Sequence, residues 1–163
     1  MEIERKFTVK TLPASLESYT CLLIEQAYLN TDPVIRIRRQ NEEYFLTYKG
    51  KGLLAREEYN LPLNKEAYAH LRTKADGNII TKKRYVIPLE HPQFTEGFSP
   101  ASDISGLKIE LDIFEKPFAP LIIAEVEFPD METAHAFVMP DWFLADVTDN
   151  PAYHNSNLSK KVF

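Results

Sequence analysis

Hydrophobic and polar residues alternate in short runs along most of the chain, and such alternation is typical of β-strands. The first run, residues 1–7, has Glu2, Glu4 and Lys6 on one face and mainly apolar side chains on the other. Further alternating runs predict strands at residues 24–29, 34–39, 44–51, 56–61, 80–89, 107–114, 121–128 and 145–148. The pattern therefore predicts a chain dominated by β-structure.

Three other segments have the signals of helices. A proline in the first turn or a capping side chain marks each start, and the predicted helices are residues 13–19, 64–75 and 130–138. Gly77 is expected to stop the second of them. Residues 91–105 are rich in proline, glycine and serine without periodicity, so they predict a loop that is too short to link two domains.

Composition limits the class of protein. The chain has 163 residues, of which 44% are hydrophobic, so it can bury the core of a single domain that spans residues 1–163. The net charge of −5 argues against nonspecific binding to nucleic acid or to an anionic membrane. No apolar stretch is long enough to span a bilayer and the acidic start does not suit a secretory signal, so a cytoplasmic location is expected.

Charged side chains occupy one face of several predicted strands, and their signs are sorted by strand. The bases on these faces are Lys6, Arg36, Arg38, Lys49, Arg56, Lys82 and Arg84. The acids are Glu2, Glu4, Glu58, Glu110, Asp112, Glu125 and Glu127. Strands that merely face water need no such sorting, so the pattern indicates one cationic and one anionic wall.

The opposite faces of the same strands are apolar and need cover, which the predicted helices can supply. A closed antiparallel β-barrel with its charged faces inward and helices outside meets both conditions, so the predicted fold is α+β and dominated by β-structure. Small barrels usually have apolar interiors, and a charged interior therefore indicates a site. Its cationic wall suits polyphosphate oxygens and its anionic wall a bridging divalent ion. The alternative for each single residue is a salt bridge across the barrel.

A series of short motifs runs through nearly the whole chain. They are Glu2-x-Glu4-x-Lys6, Gln26-Ala27-Tyr28-Leu29, Arg36-Ile37-Arg38, Leu46-Thr47-Tyr48-Lys49-Gly50, Arg56-Glu57-Glu58, Lys82-Lys83-Arg84-Tyr85, Ile109-Glu110-Leu111-Asp112, Ala124-Glu125-Val126-Glu127-Phe128 and Asp146-Val147-Thr148. Their order resembles that of the CYTH superfamily, the triphosphate tunnel metalloenzymes. The resemblance implies an eight-stranded tunnel, hydrolysis or cyclisation of a triphosphate, and dependence on Mg²⁺ or Mn²⁺.

The resemblance also implies roles for the charged residues. The implied metal ligands are Glu2, Glu4, Glu58, Glu110, Asp112, Glu125 and Glu127, and which of them bind the metal directly is open. The implied phosphate ligands are Lys6, Arg36, Arg38, Lys49, Arg56 and Arg84. Lys82 and Tyr28 are implied to form a catalytic dyad, in which the lysine assists phosphoryl transfer and the phenol holds it in place. The alternative for Lys82 is one more phosphate clamp.

The short chain and its Gln-x-Tyr-Leu segment resemble most the bacterial inorganic tripolyphosphatases. This implies a hydrolase that releases orthophosphate from inorganic tripolyphosphate, a small-molecule substrate, and it is compatible with a homodimer. The alternatives are a class IV-type adenylate cyclase, a thiamine or nucleoside triphosphatase, and a noncatalytic polyphosphate-binding module. One departure is Ala152, which precedes Tyr153 where relatives commonly carry arginine, so one basic contact at the tunnel end is not expected.

Overall fold

The structure is a computed structural model that describes all residues, 1–163. Its strands are β1 (Glu2–Val9), β2 (Thr20–Thr31), β3 (Val34–Gln40), β4 (Glu43–Lys49), β5 (Ala55–Arg56), β6 (Glu58–Leu63), β7 (Asp76–Pro88), β8 (Gln93–Phe94), β9 (Lys108–Phe114), β10 (Ile122–Glu127), β11 (Phe137–Val138) and β12 (Phe143–Asp146). The helices are α1 (Lys65–Arg72), α2 (Met131–Ala136) and α3 (Asn155–Leu158), with 3₁₀ turns at Leu16–Ser18 and Pro151–Tyr153. None of these helices combines the length and the apolar character needed to cross a membrane.

The strands form a nearly closed antiparallel barrel. Nine strands follow one another in the order β12-β1-β10-β9-β7-β2-β3-β4-β6, and β5 pairs back with β1 through Glu2 opposite Arg56. Only Glu57 separates β5 from β6, so these two strands are parts of one segment, and eight segments form the ring with β12 beside it. The structure thereby confirms the predicted barrel with a charged interior.

The outer faces of the strands are apolar and lie under helices, as the alternation predicts. On one side, α2 and the β8–β11 pair cover a core built around Phe7 and Leu111. Arg5 fastens this cover, because its Nη1 donates to the backbone oxygens of Ala134 and Phe137 at 2.7 and 2.8 Å. On the other side, α1 covers a smaller core with Tyr68. The helices thus leave the inner faces free for the site.

One end of the barrel interior is apolar and closed. The buried side chains there are Tyr28, Val34, Ile80, Phe114, Phe118, Ile123 and Leu158. Leu158 comes from α3, which no sequence signal predicts. Asn78 fastens this segment to β7, because its backbone N–H donates to Ser159 O at 2.6 Å and its Nδ2 donates to Lys161 O at 2.7 Å. The charged part of the interior therefore opens at the opposite end.

Some element boundaries differ from the prediction because the sheet overrides local signals. Helix α1 ends at Arg72, since residues 73–75 form a tight turn and Asp76 already pairs in the sheet. The predicted helix stop at Gly77 is wrong, because Gly77 lies in β7 with φ of 70°. A Cβ at this position would lie 2.2 Å from the carbonyl oxygen of Ser159, so the close approach of the C-terminal segment requires glycine.

Two other segments are also more extended than predicted. The predicted helix at residues 13–19 contains only a 3₁₀ turn. The predicted loop at residues 91–105 contains β8, and its partner β11 takes the last two residues of the predicted helix at 130–138. Asp130 does cap α2, because its side chain accepts a hydrogen bond from the Thr133 N–H at 2.7 Å.

Candidate functional site

A cavity of about 270 Å³ extends into the barrel between the charged inner faces. The predicted site residues that line it are Glu2, Glu4, Lys6, Tyr28, Arg36, Arg38, Lys49, Arg56, Glu58, Arg84, Glu110, Glu125 and Glu127. Strand parity explains this result, because each of these side chains lies on the inner face of a barrel strand. Lys82 and Asp112 also point inward, but they lie buried behind the lining.

Strand register brings the acids of the cavity together. On the ladders of β1, β10 and β9, Lys6 lies opposite Glu125, Glu125 lies opposite Glu110, and Glu4 lies opposite Glu127. Carboxylate oxygens of Glu4, Glu110 and Glu125 all lie within 4.8 Å of one another. Such a set of oxygen donors fits a hard divalent cation.

The pKa values of these acids support the same interpretation. Burial in the tunnel wall, together with the charge of Glu125, raises the pKa of Glu4 to about 8. Burial and the neighbouring charge of Glu2 also raise the pKa of Glu127. Although burial alone would raise it, the pKa of Glu125 lies well below its usual range because Lys6 and Arg84 favour the carboxylate. The wall thus combines one carboxylate that bases keep ionised with two whose charged forms burial and neighbouring acids disfavour.

Several predicted phosphate ligands are already paired with acids. Lys6 Nζ lies 2.9 Å from Glu4 and 3.2 Å from Glu125. Lys49 Nζ lies 3.0 Å from Glu2, and Arg56 Nε lies 3.6 Å from the same carboxylate. These bases therefore order the acidic wall as well as facing the cavity.

Arg84 is the most strongly paired base of the site. Its Nε and Nη2 donate to the two oxygens of Asp112 at 2.7 and 2.8 Å, and its Nη1 donates to Glu110 at 2.6 Å. Asp112 also accepts from Lys82, at 2.5 Å. Because both oxygens of Asp112 are taken by bases behind the cavity wall, the structure does not place this residue with the acids that face a metal.

Arg36 and Arg38 differ from the other bases because no acid lies within ion-pair distance of either guanidinium. Arg36 Nη2 contacts only the Thr47 hydroxyl, at 3.4 Å. Arg38 donates from Nε and Nη2 to Gln26 Oε1, at 3.1 and 2.8 Å. Burial, followed by the charges of Arg36 and Arg84, lowers the pKa of Arg38 to about 9. This pair of arginines is the part of the wall that most lacks an anion.

Lys82 and Tyr28 do not form the predicted contact. Tyr28 lies at the inner end of the cavity, directly opposite Arg36 on the β2–β3 ladder. Lys82 is 1% exposed, and its Nζ bonds Asp112 instead of the phenol. The prediction that Tyr28 holds Lys82 in place is therefore corrected: Asp112 holds it. Burial lowers the pKa of Lys82 to about 8 despite the opposing charge of Asp112.

Glu2 and Glu58 form a separate pair at the β5–β6 side of the cavity. Burial and a hydrogen bond with Glu58 raise the pKa of Glu2. The pKa of Glu58 is lowered to about 2, because its hydrogen bond with Glu2 and the charge of Lys49 outweigh its burial. Glu58 also accepts a hydrogen bond from Asn60 Nδ2 at 3.2 Å. These contacts occupy both acids within the wall, and neither belongs to the cluster of Glu4, Glu110 and Glu125.

Some residues of the site were not predicted. They are Gln26, which holds Arg38, and the additional lining residues Val34, Gln40, Asn60, Asn155 and Ser156. Strand parity signals the residues of β2, β3 and β6, but their neutral side chains do not stand out beside the charges. Asn155 and Ser156 belong to α3, which has four residues and is too short to show helical periodicity.

Comparisons with known proteins agree with this geometry. A family model described as the CYTH domain matches residues 1–139. The inorganic triphosphatase of Nitrosomonas europaea is 34% identical over 164 residues, which cover 99% of this chain and 98% of that protein. The inorganic triphosphatase of Acetivibrio thermocellus is 33% identical over 171 residues, with 99% and 95% covered. A crystal structure of an inorganic triphosphatase matches with a TM-score of 0.67 at 32% identity and covers 99% of this chain and 96% of its own. The chain therefore belongs to the CYTH family, as its motifs predict.

Proposed function

We propose that this protein is a metal-dependent inorganic triphosphatase that hydrolyses tripolyphosphate and releases orthophosphate. The observation that carries this proposal is the lining of the cavity, in which 18 residues include only two hydrophobic ones, Tyr28 and Val34. Drug-sized organic ligands usually occupy largely apolar pockets of roughly 300–1,000 Å³. A cavity of about 270 Å³ with polar walls suits an inorganic chain of phosphates better than a nucleoside or thiamine group. Both named relatives are inorganic triphosphatases, which supports the same activity.

Glu4, Glu110 and Glu125 would hold the metal, which we propose to be Mg²⁺ or Mn²⁺. Their oxygens converge within 4.8 Å, and the raised pKa of Glu4 indicates that burial and the charge of Glu125 outweigh the single base, Lys6, that pairs with this carboxylate. When bound, the ion would neutralise phosphate charge and polarise a phosphoryl oxygen. Glu127 lines the same wall and would assist through its charge. Glu2 and Glu58 would act on the metal only through the residues that they hold.

The bases have two proposed roles. Arg36 and Arg38 have no acidic partners, so we assign them as the principal ligands of the phosphate oxygens. Lys6, Lys49, Arg56 and Arg84 contribute positive charge while they keep the acids in position. Charge stabilisation and positioning by such groups supply most of the catalysis of phosphoryl transfer.

Lys82 and Tyr28 are proposed to act near the transferred phosphoryl group. Lys82 lies behind the lining, so its ammonium, with a pKa of about 8, would act on the phosphoryl group through its charge at neutral pH and would lose that charge at slightly higher pH. Tyr28 would order the inner end of the phosphate chain, because it lies beside Arg36 at the end of the cavity. Asp112 would position Lys82 for this role.

The test is a product screen of the purified protein with Mg²⁺ or Mn²⁺. Tripolyphosphate, ATP and thiamine triphosphate are supplied separately, and orthophosphate and cyclic AMP are measured. We expect release of orthophosphate from tripolyphosphate at the highest kcat/KM, and no release in a chelator. Preference for an organic triphosphate, formation of cyclic AMP, or binding of tripolyphosphate without turnover would contradict the proposal. The cytoplasmic location, the homodimer and the absence of nucleic-acid and membrane partners stay predictions.

A further inference from the structure

Gln26 is a fully buried polar residue in the middle of the barrel wall. Its relative exposure is 0%, and it lies directly opposite Arg38 on the β2–β3 ladder. Its Oε1 accepts two hydrogen bonds from Arg38, one from Nε at 3.1 Å and one from Nη2 at 2.8 Å. One amide oxygen thus holds two nitrogens of a single guanidinium.

We propose that Gln26 is a positioning residue that fixes the Arg38 guanidinium for a substrate phosphate and leaves its positive charge available. The proposal rests on the proposed function, because it takes the anion to be inorganic tripolyphosphate. Arg38 lines the cavity and Gln26 does not, so Gln26 acts through Arg38 and not by touching the substrate.

The neutrality of the amide is the central point of the argument. Apart from Arg36, the other bases of the barrel interior are held by carboxylates, as Arg84 is by Asp112 and Lys49 is by Glu2. A carboxylate partner orients a base but also cancels its charge, and an arginine so neutralised attracts a phosphate less strongly. An amide oxygen gives the same orientation without this loss. Gln26 therefore orients an arginine without neutralising it.

The other end of the same amide supports this role. Gln26 Nε2 is buried and has no hydrogen-bond partner. A buried donor that is left unpaired costs about 1–3 kcal/mol, so the Nε2 group by itself lowers the stability of the wall. Its partner on the β2–β7 ladder is the apolar Ile80, and the apolar Ile24 lies two residues away on β2. The fold thus keeps a polar group at a stability cost, and the only partner that its oxygen serves is Arg38.

Two variants separate the charge from the hydrogen bonds. Gln26→Glu keeps an oxygen acceptor for Arg38 but adds the missing counter-charge, whereas Gln26→Met keeps the size and removes the acceptor. Gln40→Glu is the matched control, since it adds a charge on β3, the strand of Arg38, at a lining residue that is not a hydrogen-bond partner of Arg38. The readouts are KM and kcat for tripolyphosphate with Mg²⁺, and the thermal midpoint with and without tripolyphosphate.

For Gln26→Glu we expect KM to rise on the order of tenfold, with a smaller change in kcat. The same variant should melt at a higher temperature than wild type without substrate, because a new ion pair replaces an unpaired guanidinium, and should gain less from added tripolyphosphate. Gln40→Glu should raise KM less. Gln26→Met should raise KM roughly threefold, and it should have no effect in an Arg38→Ala background, because its action passes through Arg38.

A Gln26→Glu variant that binds and turns over tripolyphosphate like wild type would overturn the positioning role. So would equal effects of Gln26→Glu and Gln40→Glu, or an undiminished effect of Gln26→Met after Arg38→Ala. The proposed function fails differently, because in that case wild type itself releases no orthophosphate from tripolyphosphate. In that case, the affinities for tripolyphosphate measured by calorimetry still rank the three variants.

Discussion

Arg84 and Arg38 both project into the barrel, yet their surroundings are opposite. Arg84 on β7 is 6% exposed and forms bonds of 2.6–2.8 Å with Asp112 and Glu110. Arg38 on β3 is half-buried and bonds only the neutral Gln26. Strand β2 lies between the two, so one stretch of wall holds a neutralised arginine and an arginine that lacks a counter-charge.

The difference separates bases that build the tunnel from bases that bind in it. A buried base with an acid partner is part of the structure, since removal of either member leaves a charge without compensation. A base without an acid partner is costly to the protein alone and gains most when an anion arrives. The sequence contains Arg36, Arg38 and Arg84 as equivalent inward bases, and only their partners distinguish them.

The largest expected effect is that of Arg84→Met on stability. The change leaves the buried Asp112 with only Lys82 and Glu110 with only the more distant Lys108, at 3.9 Å. We expect the free energy of unfolding to fall by about 3–5 kcal/mol, the cost of breaking a buried ion pair. Chemical denaturation measures it, with Arg84→Lys as the control that keeps the charge. A loss below about 1 kcal/mol would remove the distinction between the two arginines.

Arg38→Ala is the converse change and acts on the substrate. It removes a guanidinium that has no acid partner, so stability should fall much less than in Arg84→Met. We expect kcat/KM for tripolyphosphate to drop by an amount equal to about 2–4 kcal/mol of transition-state binding. Steady-state kinetics and denaturation of the same sample decide the matter. Normal kinetics would mean that Arg38 faces water and not the phosphates.

Lys82→Met tests the base that lies deepest behind the cavity. The ammonium of wild type is lost as pH rises through its pKa of about 8, so kcat/KM, which reports the free enzyme, should decline above that pH. Lys82→Met should lower kcat/KM roughly 10²-fold at neutral pH and flatten the decline. Tyr28→Phe should reproduce part of the loss. Variants that change only KM and keep the wild-type profile would make Lys82 a phosphate clamp.

Glu4→Gln tests the acidic wall. A metal present at 100 times its dissociation constant stabilises wild type by about 2.7 kcal/mol, and the variant should gain roughly 1 kcal/mol or less. In chelator, the order of stability of wild type and variant differs. Since the folded state holds the Glu4 proton up to a pKa of about 8, wild-type stability falls as pH rises from the ordinary carboxyl range toward 8. The amide of the variant cannot ionise, so Glu4→Gln should melt no lower than wild type at pH 8. Full activity in limiting metal would exclude Glu4 as a ligand.

Strand alternation predicted most of the site because it is a local property. Residues two apart on a strand share a face wherever the strand lies, so the inward set around Glu4, Arg38 and Glu125 follows from the sequence alone. The depth at which each side chain lies in the barrel does not follow from the sequence. Lys82 and Asp112 lie on the same inner face as the residues two positions away on their strands. The register of β7 with β9 nevertheless places them behind the lining and against each other.

The pairing of side chains between strands also could not be predicted from the sequence. That Arg38 meets Gln26 and Arg84 meets Asp112 depends on the register of β2 with β3 and of β7 with β9. Register is a tertiary property, set by the apolar cores on the outer faces and by bulges such as the one near Tyr28. The closing of the barrel by α3 was missed for a related reason, since its one buried leucine gives no periodic signal.

The most direct test of the account is a crystal structure with Mn²⁺ and a non-hydrolysable imidotriphosphate, in which anomalous scattering locates the metal. We expect Mn²⁺ between the carboxylates of Glu4, Glu110 and Glu125, and phosphate oxygens on the guanidinium groups of Arg36 and Arg38. Arg84 should keep its bonds to Asp112. A metal bound elsewhere, or phosphates that displace Asp112 from Arg84 and leave Arg38 on Gln26 alone, would contradict the division of the tunnel into bases that build and bases that bind.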